Sequence, residues 1–158
     1  AYEIVSRDWS SDVCSSDLKY PEYKMALDAN KTPCNFYSKE YWVRGIVDLL
    51  IISGDTAFIV DYKTGSDKYP DMKQLKLMAL MTFIHFPEVK TVRAGLLFIL
   101  HNNFMPEEYA REGMEELWGA FAPDLERLRL SYENDTWQAN PSPLCRWCPV
   151  ASCEFNRE

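Results

Sequence analysis

Between Tyr41 and Gly65 two apolar stretches flank one polar break. The stretches run from Tyr41 to Ile52 and from Ala57 to Gly65, both rich in β-branched and aromatic residues. Ser53, Gly54, Asp55 and Thr56 between them are turn chemistry. The pattern predicts a β-hairpin. From Asp71 to Phe86 the pattern predicts a helix, with Pro70 suited to its start and Pro87 to its end. Leu75, Leu77, Met78, Ala79, Leu80 and Met81 make it apolar almost all round, so it should be buried. Thr91 to His101 reads as a third strand, apolar throughout from Ala94 to Leu100, as expected of a strand covered on both faces. Strand, helix, strand implies a right-handed crossover and parallel pairing. Pro106 to Asn134 reads as helical, with Met114, Leu117, Phe121, Leu125 and Leu128 on one face. Pro123 should kink it or split it in two. Lys19 to Asn30 gives a weak helical signal, and Lys31 to Lys39 an extended lead into the hairpin. The sum is an α/β fold, a small central mixed sheet flanked by helices.

Composition narrows the class. A chain of 158 residues, 47% of them hydrophobic, suits one globular domain. No apolar run is long enough to span a membrane, and no basic-then-apolar signal opens the chain. The expected location is the cytoplasm. Ser6 to Leu18 is Ser/Asp-rich, has no period, and resembles translated adaptor sequence. Residues 1–18 are therefore expected to be a non-native or disordered leader, with 19–158 a single domain, and Cys14 an accident of the leader. The net charge of −7 argues against a globally basic nucleic-acid binder. Lys63, Lys68, Lys73 and Lys76 can still supply a local patch, although each also reads as an ordinary solvated lysine.

The hairpin carries the chemistry. If Gly54-Asp55 is the turn tip, Asp48 sits opposite Asp61. Side chains directly opposed across a ladder lie about 4.5–5.5 Å apart, and like charges there repel. Two aspartates within apolar strands call for a positive charge between them, and a hard divalent cation fits carboxylate oxygens. Lys63 lies two residues past Asp61, on the same strand face. Without metal the facing carboxylates cost stability, so neutralising Asp61 is expected to raise it or leave it unchanged. A plain strand running out into a solvated loop would carry the same residues.

Gly45-Ile-Val-Asp48 with Asp61-Tyr-Lys63-Thr-Gly65 resembles the GxxD…DxK core of the PD-(D/E)XK nuclease superfamily, closest to its RecB/Cas4-like branch and related phage exonucleases. The resemblance covers roughly Tyr41 to Cys153 and implies a restriction-endonuclease-like core. It implies that Asp48 and Asp61 hold Mg²⁺ or Mn²⁺, with the Tyr62 carbonyl as a further ligand, and that Lys63 assists the chemistry. It implies DNA as substrate, as single strands or duplex ends, and recombination or replication proteins as partners. Gln74 fits the first position of the branch's QxxxY motif; Met78 stands where the Tyr would be. Gln74 also reads as an ordinary polar residue of a first helical turn. The branch's N-terminal helix, with an acidic or histidine residue and a first cysteine, is not evident here.

Cys145, Cys148 and Cys153 form a second feature. A Cys-x2-Cys pair with a third cysteine nearby suits one tetrahedral metal. Five cysteines in all, an odd number, suit metal better than a closed disulfide framework. Relatives in the resembling branch carry a similar set, some around a [4Fe–4S] cluster. The readings left open are a [4Fe–4S] cluster, Zn²⁺, or three reduced thiols. Cys34 is the better candidate for a fourth ligand and His101 the poorer one. His85 reads as structural.

Two rivals to the nuclease reading stand beside it. One is a nucleic-acid-binding module of the same fold with an incomplete site. The other is a metal-stabilised structural protein that binds no DNA.

Overall fold

The computed structural model describes residues 18–156. The Ser/Asp-rich tract before Leu18, with Cys14, lies outside them. The chain divides into two units between Ala120 and Phe121.

The first unit is built on five strands: β1 (Leu18–Leu27), β2 (Val43–Ser53), β3 (Thr56–Lys63), β4 (Thr91–Phe98) and β5 (Asn103–Ala110). They lie side by side in chain order. Only β3 and β4 are parallel; the other three neighbouring pairs are antiparallel. The parallel pair needs a long return connection, and α1 (Met72–His85) provides it. The expected hairpin, helix and crossover strand are all present, and the sheet is mixed.

Gly54 opens the β2–β3 turn at a φ of 58°, a left-handed conformation that glycine adopts without strain. It sets Ser53 opposite Thr56, the register the sequence implied. Asp71 caps α1, its carboxylate accepting from the Lys73 amide. Leu75 and Met78 to Phe83 are buried along it. Leu75, Met78, Ala79, Met81 and Phe83 form one core with Met25, Leu27, Val47, Leu50, Ile59 and Leu96 of the sheet. A smaller cluster, Phe58, Val60 and Leu97, lies on the opposite sheet face.

One expected helix is a strand, and another begins later than expected, after a strand. Lys19 to Asn30 was expected to be helical, yet β1 occupies Leu18–Leu27. Pro106 was expected to start a helix, yet it lies inside β5, opposite Gly95 of β4. As an edge strand, β5 tolerates a residue with no amide to donate. The helical face then falls in two pieces, α2 (Met114–Gly119) and α3 (Ala122–Asn134). Met114, Leu117 and Trp118 of α2 pack on the core. Pro123 sits in the first turn of α3, so it starts a helix and does not kink one.

The second unit comprises α3 and a tail. No residue of α3 is buried. Arg129 pairs with Glu126 and Glu133 along its surface, and Tyr132 meets Trp137 edge to face. In the tail, Ser142 caps a short 3-10 turn over Pro143–Trp147.

Candidate active site

The β2–β3 ladder stops at Leu49–Val60, one step short of the two aspartates. The reason lies in β2 itself. Val47 and Leu50, three residues apart, both join the core under α1. A regular strand alternates faces, so β2 changes phase between them, at Asp48 and Leu49. The neighbouring β1 slips at the same level. Tyr20 and Tyr23 both pack on that core, and between them Glu22 has a φ of 48°. The register brings Tyr20 to Leu50 and Tyr23 to Val47, so the two slips face one another. The β1–β2 register is the same on both sides, and only the Glu22–Asp48 step is left unpaired. Here the Asp48 carboxylate accepts the Tyr62 amide at 2.8 Å, at the point where the ladder has lapsed.

Asp61 is 4% exposed on β3 and lies on the α1 side with Lys63. Gln74, in the first turn of α1, reaches both. Its amide nitrogen donates to Asp61 Oδ1 at 2.6 Å, and its Oε1 accepts from Lys63 Nζ at 2.7 Å. Lys63 Nζ stands 2.6 Å from Asp61 Oδ2. That approach makes an ion pair but lacks hydrogen-bond geometry, so this buried oxygen has no hydrogen-bond partner. Asp61, Gln74 and Lys63 thus close a ring, with Asp48 held beside it through the residue after Asp61.

The donor set fits a divalent cation. Asp61 Oδ2 is an enclosed anionic oxygen whose polar neighbour is the Lys63 ammonium. Asp48 uses one oxygen on Tyr62, and the other accepts no hydrogen bond among the described residues. Hard cations take such oxygens. Met78 is 6% exposed within the core, so the position expected to carry a tyrosine hydroxyl offers none to the site.

The loop after Lys63 is tied back to the sheet by Asn103 of β5, which donates to Asp67 at 2.8 Å. That hydrogen bond, helped by the charges of His101 and Lys68, holds the Asp67 carboxyl below its ordinary range. Only the recognition of β5 as a strand could have brought Asn103 to this end of the sheet. Lys68 and Lys73 are exposed and Lys76 is half-buried, while Lys63 is committed to the ring.

The cysteine expectation is not met. Among the described residues no three Cys, His, Asp or Glu side chains gather closely enough to hold a metal. Cys34, Cys145, Cys148 and Cys153 are free thiols. Cys145 Sγ accepts the Ser142 amide and so completes a turn cap, while Cys148 is exposed where that turn ends. Cys34 belongs to the first unit and the other three to the second. Desolvation, with Asp28 and Glu40 nearby, raises the Cys34 thiol. His85 is structural as expected, its Nε2 lying 3.1 Å from the Ala26 carbonyl.

The sequence model of the PD-(D/E)XK nuclease superfamily matches residues 9–153. No curated protein matches the chain. One solved structure, described as a crystal structure of SSO0001, is 12% identical with a TM-score of 0.40. The overlap takes in 99% of this chain and 66% of that one.

Proposed function

This chain belongs to the PD-(D/E)XK nuclease superfamily, and from that premise we propose that it is a divalent-metal-dependent deoxyribonuclease of the RecB/Cas4-like kind, acting on single strands or duplex ends as an exonuclease. Its five-stranded mixed sheet with flanking helices is the restriction-endonuclease-like fold of that superfamily. Nucleases of this superfamily generally use divalent metals. The observation that carries the reading is the ring of Asp61, Gln74 and Lys63 beside Asp48.

Asp48 and Asp61 would hold the metal, with the Tyr62 carbonyl as a further ligand. A divalent cation supplies an acidified water and neutralises charge on the scissile phosphate. Lys63 is placed to orient that water or to offset negative charge on the phosphate as it develops. Gln74 holds the ammonium at Asp61 and fixes the carboxylate plane with its own amide. Asp48 is held by the amide of Tyr62, the residue next to Asp61 in the chain, where the ladder has lapsed.

The absent hydroxyl at Met78 supports the rival, a nucleic-acid-binding module that does not cut. One assay separates the two: cleavage of labelled linear and circular DNA with Mg²⁺, Mn²⁺ or chelator. Metal-dependent loss of linear DNA, with circles spared, supports an exonuclease. Binding without cleavage under every metal condition would leave the binding module.

A further inference from the structure

On the sheet face opposite α1, cations and aromatic rings alternate at the outer end of β1 and β2. Lys24 on β1 and Arg44 on β2 both point to this face, since their neighbours Met25 and Gly45 point to α1. Lys24 Nζ donates to the Tyr37 hydroxyl at 2.6 Å and lies 5.2 Å from that ring's centre. The Arg44 guanidinium lies 5.2 Å from the centre of Phe36 and 4.3 Å from that of Tyr41. Phe36 and Tyr37 meet edge to face at 5.2 Å. The surface is open: Tyr37 is 71% exposed, Tyr41 39% and Ile46 43%.

We propose that this surface docks single-stranded nucleic acid, with Tyr37 and Tyr41 as stacking platforms and Lys24 and Arg44 as phosphate contacts. The proposal rests on the nuclease reading and adds the form of the substrate and where it is held. Three observations favour a single strand. In a chain of net charge −7, two cations stand together on one face. They are interleaved with rings, as phosphates and bases alternate along a strand. Exposed rings can stack only on bases whose faces are free, and a duplex hides them. Arg44 also lies four residues before Asp48 on β2, about 13 Å along the strand. The patch and the Asp61 ring lie on opposite sheet faces, so a nucleic-acid strand held at the patch reaches the ring only by passing the sheet's edge or end.

The test is fluorescence anisotropy of a labelled oligothymidylate and of a duplex of equal length, with chelator present and across a salt series. Expected is preference of the wild type for the single strand. Tyr37→Ala should weaken single-strand binding roughly five- to hundredfold. Tyr37→Phe, which keeps the ring and loses the bond to Lys24, should bind close to wild type. Arg44→Ala should lower the salt slope by about one. Unchanged circular dichroism certifies the fold, and Lys24→Gln gives a second charge variant should Arg44→Ala misfold. Wild-type binding by Tyr37→Ala and both charge variants, equal affinity for duplex, or no binding by the wild type overturns the proposal. If patch variants bind normally while the wild type cleaves DNA, the patch falls and the nuclease reading stands. If binding depends on the patch yet no metal supports cleavage, the nuclease reading falls and the patch stands.

Discussion

Asp61 is nearly buried and shares its charge with Lys63 and its hydrogen bond with Gln74. That environment reverses one sequence expectation. Facing aspartates alone would make neutralisation harmless or stabilising, but the structure supplies a cation to Asp61 even without metal. Asp61→Asn leaves Lys63, 30% exposed, beside an amide. We expect the metal-free variant to lose about 1–2 kcal/mol, because Lys63 keeps part of its hydration. Cleavage should vanish, and the Mg²⁺-induced rise in thermal midpoint expected of the wild type should shrink or disappear in the variant. Equal Mg²⁺ stabilisation of both proteins would take Asp61 out of the metal site. Gln74→Ala removes a donor from Asp61 and an acceptor from Lys63. Turnover should fall about 10–100-fold, as when the outer partner of a metal ligand is lost. Full turnover in a folded variant would make Gln74 an ordinary surface residue.

At the scale of elements, α1 is held at its end by a residue far along the chain. Arg111 donates to the carbonyls of Phe83, Phe86 and Val89 at 2.8, 2.7 and 2.6 Å, and lies over the Phe83 ring. Helix C-termini leave carbonyls without partners, and a cation there also suits the helix dipole. Arg111→Ala should cost about 2–3 kcal/mol in urea unfolding, and a loss below half that would reduce it to a surface arginine. His85 makes the element pH-sensitive. Burial lowers its pKa, against the pull of the Ala26 carbonyl. The folded state then binds the proton less readily than the unfolded chain, so the contribution of His85 is intact above about 6.5 and is lost as pH falls through the lowered folded value. His85→Gln should flatten the stability profile below pH 6.5; an unchanged slope would assign it to other groups. The elements that could be read in advance were those with dense local signals: the hairpin, the apolar run of α1 and the buried β4. β1 was hidden by its own slip. Leu18 and Tyr20, then Tyr23, Met25 and Leu27, follow a two-residue period, but the step from Tyr20 to Tyr23 reads as a helical three. β5 was hidden by Pro106, Glu107 and Glu108, which suit a helix start as well as an exposed edge. Asp48, Asp61, Lys63 and Gln74 stood out as candidates by hairpin spacing and family resemblance, and the structure brings Asp61, Lys63 and Gln74 into one ring. Only the bond from Asp48 to the Tyr62 amide lies at the phase change in β2, which no local sequence signal announces.

At the scale of the whole molecule, the four site residues all belong to the first unit, before Phe121. The second unit contributes no buried residue among those described. A chain ending at Ala120 should therefore fold, with a thermal midpoint near that of the full chain and the Asp61 ring intact. Circular dichroism and the Mg²⁺ shift measure this directly. An unfolded or metal-blind fragment would show that residues after Ala120 support the core. The superfamily match runs to residue 153, so activity of the fragment is a separate question from its folding.

The irregularity at Pro21 and Glu22 has a consequence unrelated to catalysis. β1 is an outer strand, and an outer strand is a template on which another chain can build. Pro21 offers no amide, Glu22 turns the backbone away at positive φ, and Lys19 and Lys24 flank them with charge. The other margin, β5, is guarded by the same means, with Pro106 beside Glu107 and Glu108. The break opposite Asp48 also leaves the sheet without a smooth border, so a chain this rich in strand-forming residues resists polymerising through its own edges.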